Sequence, residues 1–421
     1  MVTPQPAAFV GGPRRTVEDA QLRAFVAEQL GSVELDGRSV CLVVPDATRS
    51  APMPQLLSAV YDALAGRVTR LTALIALGTH AEMPDAAVDG WLAGPGSTVH
   101  DRFPQLTVLN HLWRDPATFA RLGTITDARV AELTGGRLDV PIHVELNRAV
   151  VEHDVVLVIG PVFPHEVVGF SGGNKYFVPG VAGQEIIDIT HWVGALITSA
   201  GIIGTRGTTP VRALIDEAAA LIPARRLALC VVARSGSGEL EAAAFGTPEA
   251  AWAAAAEVAA QTHVRYLDAP VRRVVSVMGL RYQDMWTAAK GFYKVEPVVA
   301  DGGEVIILAP HVHDLALTHP EIADIGYHCR DYFLGQWERF AHVHWGVLAH
   351  STHLRGAGTW TPADGERDRV TVTLATGIPE DVVRGANLNY RDPADVDLVA
   401  LDADPDTLVV RDAGEVLFRL R

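Results

Sequence analysis

The stretch from Gly160 to His191, GPVFPHEVVGFSGGNKYFVPGVAGQEIIDITH, crowds two histidines, a lysine and several glycines behind an apolar run. His165 and Lys175 stand ten positions apart with Gly172 and Gly173 between them, and His191 follows sixteen residues later. A Gly-Gly pair lets backbone approach a ligand closely and expose its N–H groups. A lysine beside it holds an anion or reacts as an amine. Histidines move protons or bind metal. The run matches neither the P-loop pattern nor GxGxxG, which argues against a nucleotide triphosphatase and a dinucleotide fold.

Three further clusters carry candidate chemistry. In Asp46-Ala47-Thr48-Arg49, Arg49 is a candidate bidentate clamp for a carboxylate, with Asp46 and Thr48 orienting it. The same residues also suit a turn and helix cap. His80 closes Gly78-Thr79-His80, and His165 follows Pro164. Both are candidates for acid–base work, against the alternative of strand-end or loop histidines bonded to nearby backbone. His191 falls on an expected helix, Gln184 to Val193. Asp188 precedes it by three, as a steadying carboxylate for a metal-bound ring or as a plain surface contact. Tyr282, Gln283, Trp286, Thr287 and Lys290 fall mostly on one helical face. A core stripe explains Trp286 but explains Lys290 poorly. The His-rich run His342 to His353 lacks HExxH and a cysteine partner, so zinc is not expected there.

Apolar runs followed by these clusters define the elements that must position them. Strands are expected at Ser39–Val44, Leu71–Leu77, Asp154–Gly160 and Leu227–Ala233, with helices at Pro54–Gly66 and Pro248–Gln261. Repeated strand–helix units imply an α/β sheet with ligands at the carboxyl ends of its strands. Asp46–Arg49, Gly78–His80 and Pro164–His165 all fall at such ends. The rhythm restarts after Asp268–Val271, with Arg273–Met278, a helix through Lys290, Glu304–Ala309, and late strands at Val396–Leu401 and Thr407–Val410. The expected fold class is therefore α/β: two α/β domains with mostly parallel sheets and the active site in the cleft between them. Residues 1–268 form the N-terminal domain and 269–421 the C-terminal one, unless the last strands return to the first.

The bulk numbers agree. At 421 residues, 48% hydrophobic and 20% charged, the chain is globular and long enough for two or three domains. A net charge of −15 argues against a nucleic-acid partner. No apolar stretch is long enough to span a membrane. The N-terminus shows no signal-peptide pattern, and Cys41, Cys230 and Cys329 read as reduced core thiols of a cytoplasmic protein. A homo-oligomer is compatible with all of this.

The same residues resemble the nickel-pincer lactate racemase family. The matching elements are DATR at Asp46–Arg49, GTH at Gly78–His80, PHEVVGFSGGNKYFVPGVAG at Pro164–Gly183, His191, and AAKG at Ala288–Gly291. The resemblance implies a nickel-pincer nucleotide, a pyridinium mononucleotide with two sulfur-bearing arms. It would be joined covalently to Lys175, with Ni(II) ligated by His191, two sulfurs and a ring carbon. It implies racemisation or epimerisation of a small-molecule 2-hydroxy acid by reversible hydride transfer from the α-carbon. It also implies pincer-cofactor biosynthesis enzymes as maturation partners. In that scheme His80 and His165 are bases for the two enantiomers, Arg49 clamps the carboxylate, and Lys290 stabilises the keto oxygen. Asp46, Thr48, Gly172, Gly173 and Trp286 contact the cofactor or hold its neighbours. Where the lactate enzymes carry Tyr-Gln, this chain has Trp286-Thr287, which points away from lactate toward a bulkier or aromatic side chain. Two other readings stand beside it: a 2-hydroxyacid oxidoreductase that releases the keto acid, and a non-catalytic hydroxyacid- or nucleotide-binding protein.

Overall fold

The computed structural model describes residues 6–421. The N-terminal stretch read for a signal peptide therefore begins outside the described residues. The chain divides into two compact units. The first comprises the residues up to Phe163, Phe170–Ile187 and Arg206–Thr262; the second comprises Pro164–Gly169, Asp188–Thr205 and His263–Arg421. A single cut near residue 268 misses this interleaving, because two short segments of the first half group with the second unit.

The first unit is built on seven strands: β1 (Ala8–Gly11), β2 (Ser39–Pro45), β3 (Arg70–Ala76), β4 (Leu106–Asn110), β5 (Val155–Pro161), β6 (Arg225–Ala233) and β7 (Leu240–Gly246). Their order across the sheet is β1-β7-β6-β5-β2-β3-β4. The run β6-β5-β2-β3-β4 is parallel, and β7 pairs antiparallel with both β6 and β1. The apolar, β-branched run of β2 suits burial on both faces, and Val40 to Val44 are essentially inaccessible. Each such side chain contributes about 1.5–3 kcal/mol of burial. Helix α1 (Met53–Leu64) has Pro54 in its first turn, where no N–H is needed, and it buries Leu56, Leu57, Val60 and Leu64. From β2 the chain runs to β3 on one side, then later to β5 on the other. The strand order therefore reverses between β2 and β5, where open α/β sheets form a ligand crevice at the carboxyl ends. Helix α2 (Gln184–Ile197) follows the Gly-rich stretch, and α3 (Pro210–Ala219) and α4 (Pro248–Thr262) complete the unit.

In the second unit β8 (Val264–Leu267) precedes the parallel strands β9 (Val271–Met278), β10 (Val299–Ala309), β11 (Val370–Thr376), β12 (Asn389–Tyr390) and β13 (Thr407–Ala413). Their sheet order is β12-β11-β10-β9-β13, all parallel. The final strand β14 (Leu417–Leu420) pairs with β8. The last strands thus stay in the second unit and do not return to the first.

Two expectations fail. Val396–Leu401 is not a strand: Leu398–Ala403 is helical, because the Asp397 carboxylate accepts from the N–H groups of Val399 and Ala400. The expected helix through Lys290 is two short turns, α5 (Met285–Ala288) and α6 (Lys290–Tyr293). Asp284 caps the first by accepting from Thr287 N–H. Tyr282 and Gln283 therefore precede the helix rather than sharing its face. Among the described residues no helix is long and apolar enough to cross a membrane.

Candidate active site

In the first unit the ends of β2 and β3 bring Asp46 and His80 together. Oδ2 of Asp46 lies 2.5 Å from Nδ1 of His80. Oδ1 accepts from the Thr48 hydroxyl at 2.6 Å and the Thr48 N–H at 3.1 Å. Arg49 Nη1 donates to the Thr48 hydroxyl oxygen at 3.2 Å, and its guanidinium stands 5.5 Å from the Phe163 ring centroid at the end of β5. Asp46 is buried. Burial alone raises a carboxyl pKa. Here the charge and hydrogen bond of His80, the Arg49 charge and the Thr48 hydroxyl outweigh it and hold the group well below the usual range. An ionised carboxylate only accepts, so Nδ1 of His80 carries a proton toward Asp46 and Nε2 is the ring nitrogen that Asp46 does not engage. Asp46 thus steadies His80 directly and reaches Arg49 through Thr48.

Lys175, half-buried, sits in the turn Gly173–Tyr176. The loop before it is pinned from behind. Arg212, itself buried, donates to the carbonyls of Phe170 and Gly172 and lies over the Trp252 ring. Trp252 Nε1 donates to the Ser171 carbonyl at 2.9 Å. Asn174 donates to Asp216 and Glu249. Gly172 and Gly173 both have positive φ, and a Cβ on them would meet Val162 at 2.5 Å or Trp252 at 2.8 Å. The Gly-Gly pair is thus required by close packing within the protein. The neighbouring Tyr176 feels the charges of Arg49 and Asp46, which brings this loop to the strand-end cluster.

The second unit gathers a different set. His165 Nδ1 accepts from Val167 N–H at 3.2 Å, and Glu166 Oε2 lies 3.3 Å from the same nitrogen. Lys294, fully buried, donates to the Pro164 carbonyl. Burial pushes the Glu166 pKa up, but the charges of Lys294 and Lys290 bring it below the ordinary value. Helix α2 approaches this turn at Gly194, where a Cβ would meet Val167 at 2.9 Å, and His191 lies one turn earlier. Asp188 is engaged by the start of α7 (Trp345–Arg355): His344 Nδ1 lies 3.0 Å from one oxygen, and Gly346 N–H donates to the other. Lys290 Nζ donates to the Thr287 carbonyl at 3.3 Å.

Trp286 is sandwiched. The His319 ring lies 4.1 Å from it and the His350 ring 3.8 Å, both stacked. Neither face of the indole is open to an aromatic substrate. His353 Nδ1 lies 2.5 Å from the Ser199 hydroxyl oxygen. His319, Glu166 and Lys294 were not singled out in the sequence. His350 and His353 were read only within the His-rich run weighed for zinc, where they stand at i, i+3 on a helix whose other residues are mostly small or apolar. Among the described residues no group of three or more His, Cys, Asp or Glu side chains is arranged to hold a metal ion.

Two buried imidazoles give a pH dependence. Burial pushes His353 down to about 4, and burial also pushes His111 down to about 4. His111 accepts from Asn147 and faces the Ala182 carbonyl. Both rings are neutral when folded at pH 7, whereas the unfolded chain takes up their protons below about 6.5. Between pH 6.5 and 4 the unfolded state binds more protons, so stability falls as pH falls. Each ring accounts for a loss on the order of 3 kcal/mol across that window. Denaturant melts at stepped pH should show the decline beginning near pH 6.5; a flat profile down to pH 4 would contradict buried neutral rings.

Residues 12–201 match the family described as the lactate racemase N-terminal domain. Lactate racemase of Thermoanaerobacterium thermosaccharolyticum is 23% identical over 282 residues, 65% of this chain and 60% of that protein. The match thus spans about three-fifths of that curated relative's length. The structure of its apoprotein superposes with a TM-score of 0.70 at 18% identity, over 98% of this chain and all of that one. A crystal structure of a Thermotoga maritima protein gives a TM-score of 0.88 at 32% identity, covering 98% of this chain and 100% of the other. The chain therefore shares a family with the Thermotoga maritima protein, and by its N-terminal domain and its fold it is lactate racemase-like.

Proposed function

We propose that the chain is a racemase or epimerase of a 2-hydroxy acid. The observation that carries this reading is the Asp46–His80 pair, a buried carboxylate fixing an imidazole through Nδ1, beside an arginine suited to a carboxylate. Taking hydride from C2 of a 2-hydroxy acid requires taking the hydroxyl proton as well. His80 accepts that proton at Nε2 for one hand of the substrate. His165 serves the other hand. Arg49 holds the carboxylate through two parallel N–H···O bonds. Lys290 places positive charge beside the oxygen on C2 as it becomes a carbonyl.

The residues present fit a nickel-pincer nucleotide in kind. Such a group brings most of its own metal ligands, so it asks the protein for one amine and one imidazole rather than a cluster. Lys175, on its pinned loop, and the half-buried His191 of α2 are those two groups. When bound, the group supplies the hydride acceptor. Asp46 and Thr48 keep His80 and Arg49 in place around it.

Chain co-produced with the cofactor's biosynthesis enzymes should equilibrate a single enantiomer, or a single C2 epimer, without added nicotinamide. Net release of keto acid with a requirement for NAD would favour the oxidoreductase reading. Binding without any turnover would favour the binding protein.

A further inference from the structure

Nδ1 of His165 has two partners of opposite kind. Val167 N–H donates to it at 3.2 Å, and the Glu166 carboxylate, which only accepts when ionised, lies 3.3 Å from the same atom. One nitrogen cannot serve both at once. Without a proton, Nδ1 accepts from Val167; with a proton, it donates to Glu166. The difference bears on the reaction. A neutral ring that takes a proton at Nε2 holds its other proton on Nδ1, and the imidazolium so formed needs an acceptor there. Glu166 is the acceptor in place.

The surroundings keep that acceptor ionised. The Glu166 side chain is 13% exposed and that of His165 is 6% exposed. Burial alone would favour the protonated carboxyl. The charges of Lys294 and Lys290 outweigh it, and His353 of α7 acts in the same direction. Lys294 is itself 2% exposed and donates to the Pro164 carbonyl. One buried ammonium thus fixes the peptide before His165 and compensates the carboxylate after it. On the side of α2 the turn is closed by Gly194, where a Cβ would meet Val167. Buried ion pairs contribute little to the stability of a fold, because desolvation offsets their attraction. This one stands against a histidine that the reaction needs as a base.

We propose that Glu166, compensated by Lys294, is the positioning carboxylate of His165: it accepts from Nδ1–H while Nε2 takes the hydroxyl proton of the substrate. This rests on the 2-hydroxyacid reading above and adds a residue to it. Glu166 acts through the ring and not on the substrate, as Asp46 does for His80. The two bases reach the same condition by different routes. Asp46 comes from the end of a neighbouring strand, whereas Glu166 is the next residue in the chain.

The test is Glu166→Gln, which keeps the shape and removes the charge. In the loaded enzyme kcat should fall about 100-fold, with KM within about threefold of wild type. Glu166→Asp, with the charge kept but drawn back by one methylene, should recover at least about tenfold of that loss. NMR of the cofactor-free chain with isotope-labelled histidine gives a second readout. The His165 ring, identified by the signals missing in His165→Gln, should titrate about 1 pH unit lower in Glu166→Gln than in wild type. Lys290, Lys294 and His353 are the same in both chains, so the difference reads Glu166. Should Glu166→Gln not fold, the same two measurements on Glu166→Asp decide, with smaller drops expected in the same directions. Unchanged kcat in a folded, loaded variant, or an unchanged midpoint, would overturn the proposal and leave Glu166 a structural ion-pair partner. A lowered midpoint, with no turnover of any 2-hydroxy acid by loaded wild type, would keep the pairing and sink the racemase reading.

Discussion

Lys175→Ala should yield a folded chain that carries no covalent cofactor. Intact mass after co-production with the biosynthesis enzymes should equal the bare sequence, and activity should fall at least about 10⁴-fold, the scale of losing an essential catalytic group. Folding should survive because the loop is held through backbone atoms. Lys175 N–H bonds the Gly172 carbonyl, and the Lys175 carbonyl accepts from Gly180. Both bonds persist in alanine, and a half-exposed side chain with no core role usually costs within about 0.5 kcal/mol. Lys175→Arg should fail to load as well, since charge without a nucleophilic amine cannot form the link. A normal adduct in either variant would refute the assignment.

Asp46→Asn should lower kcat about 10³–10⁴-fold while leaving cofactor loading intact. The comparable loss is known where an orienting aspartate of a catalytic histidine becomes an amide and the wrong tautomer results. An amide can present N–H to the ring, which would move the imidazole proton to Nε2 and occupy the base. His80→Ala should cost a similar amount. Because mirror-image substrates have an equilibrium constant of one, kcat/KM must fall by the same factor from either enantiomer. Unchanged kcat with a raised KM would mean that Asp46 only helps to bind substrate.

Much of the scaffold was legible because parallel strands buried on both faces are written as nearly continuous apolar runs. Ser39–Val44 and Leu227–Ala233 are examples, and their ends are the places where ligand groups gather. What the sequence could not show was contact. Asp46 and His80 are 34 residues apart and meet only because β2 and β3 are neighbours in register. Misreadings came where two periods fit equally well. Val396–Leu401 is a short, mostly apolar run that suits a strand, yet an aspartate cap starts a helix at Leu398; Tyr282–Lys290 spaces like one helix, yet Asp284 starts the turn late. The histidines of α7 were visible as a His-rich run, but metal-ligand spacing is a local pattern, whereas the stacking of His350 on Trp286 and the contact of His353 with Ser199 are properties of the folded interior.

The brace behind the Gly-rich loop has a thermodynamic consequence. Two adjacent glycines at Gly172 and Gly173 would normally make the segment before Lys175 one of the most disordered parts of the chain, at about 1–2 kcal/mol of conformational entropy per ordered residue. Arg212, pushed down to about 10 by its burial, and Trp252 tie three successive carbonyls, so that entropy is lost when the chain folds rather than when a ligand arrives. A ligand attached at Lys175 thus meets a loop already in its final shape, and its binding energy is not drained by ordering it.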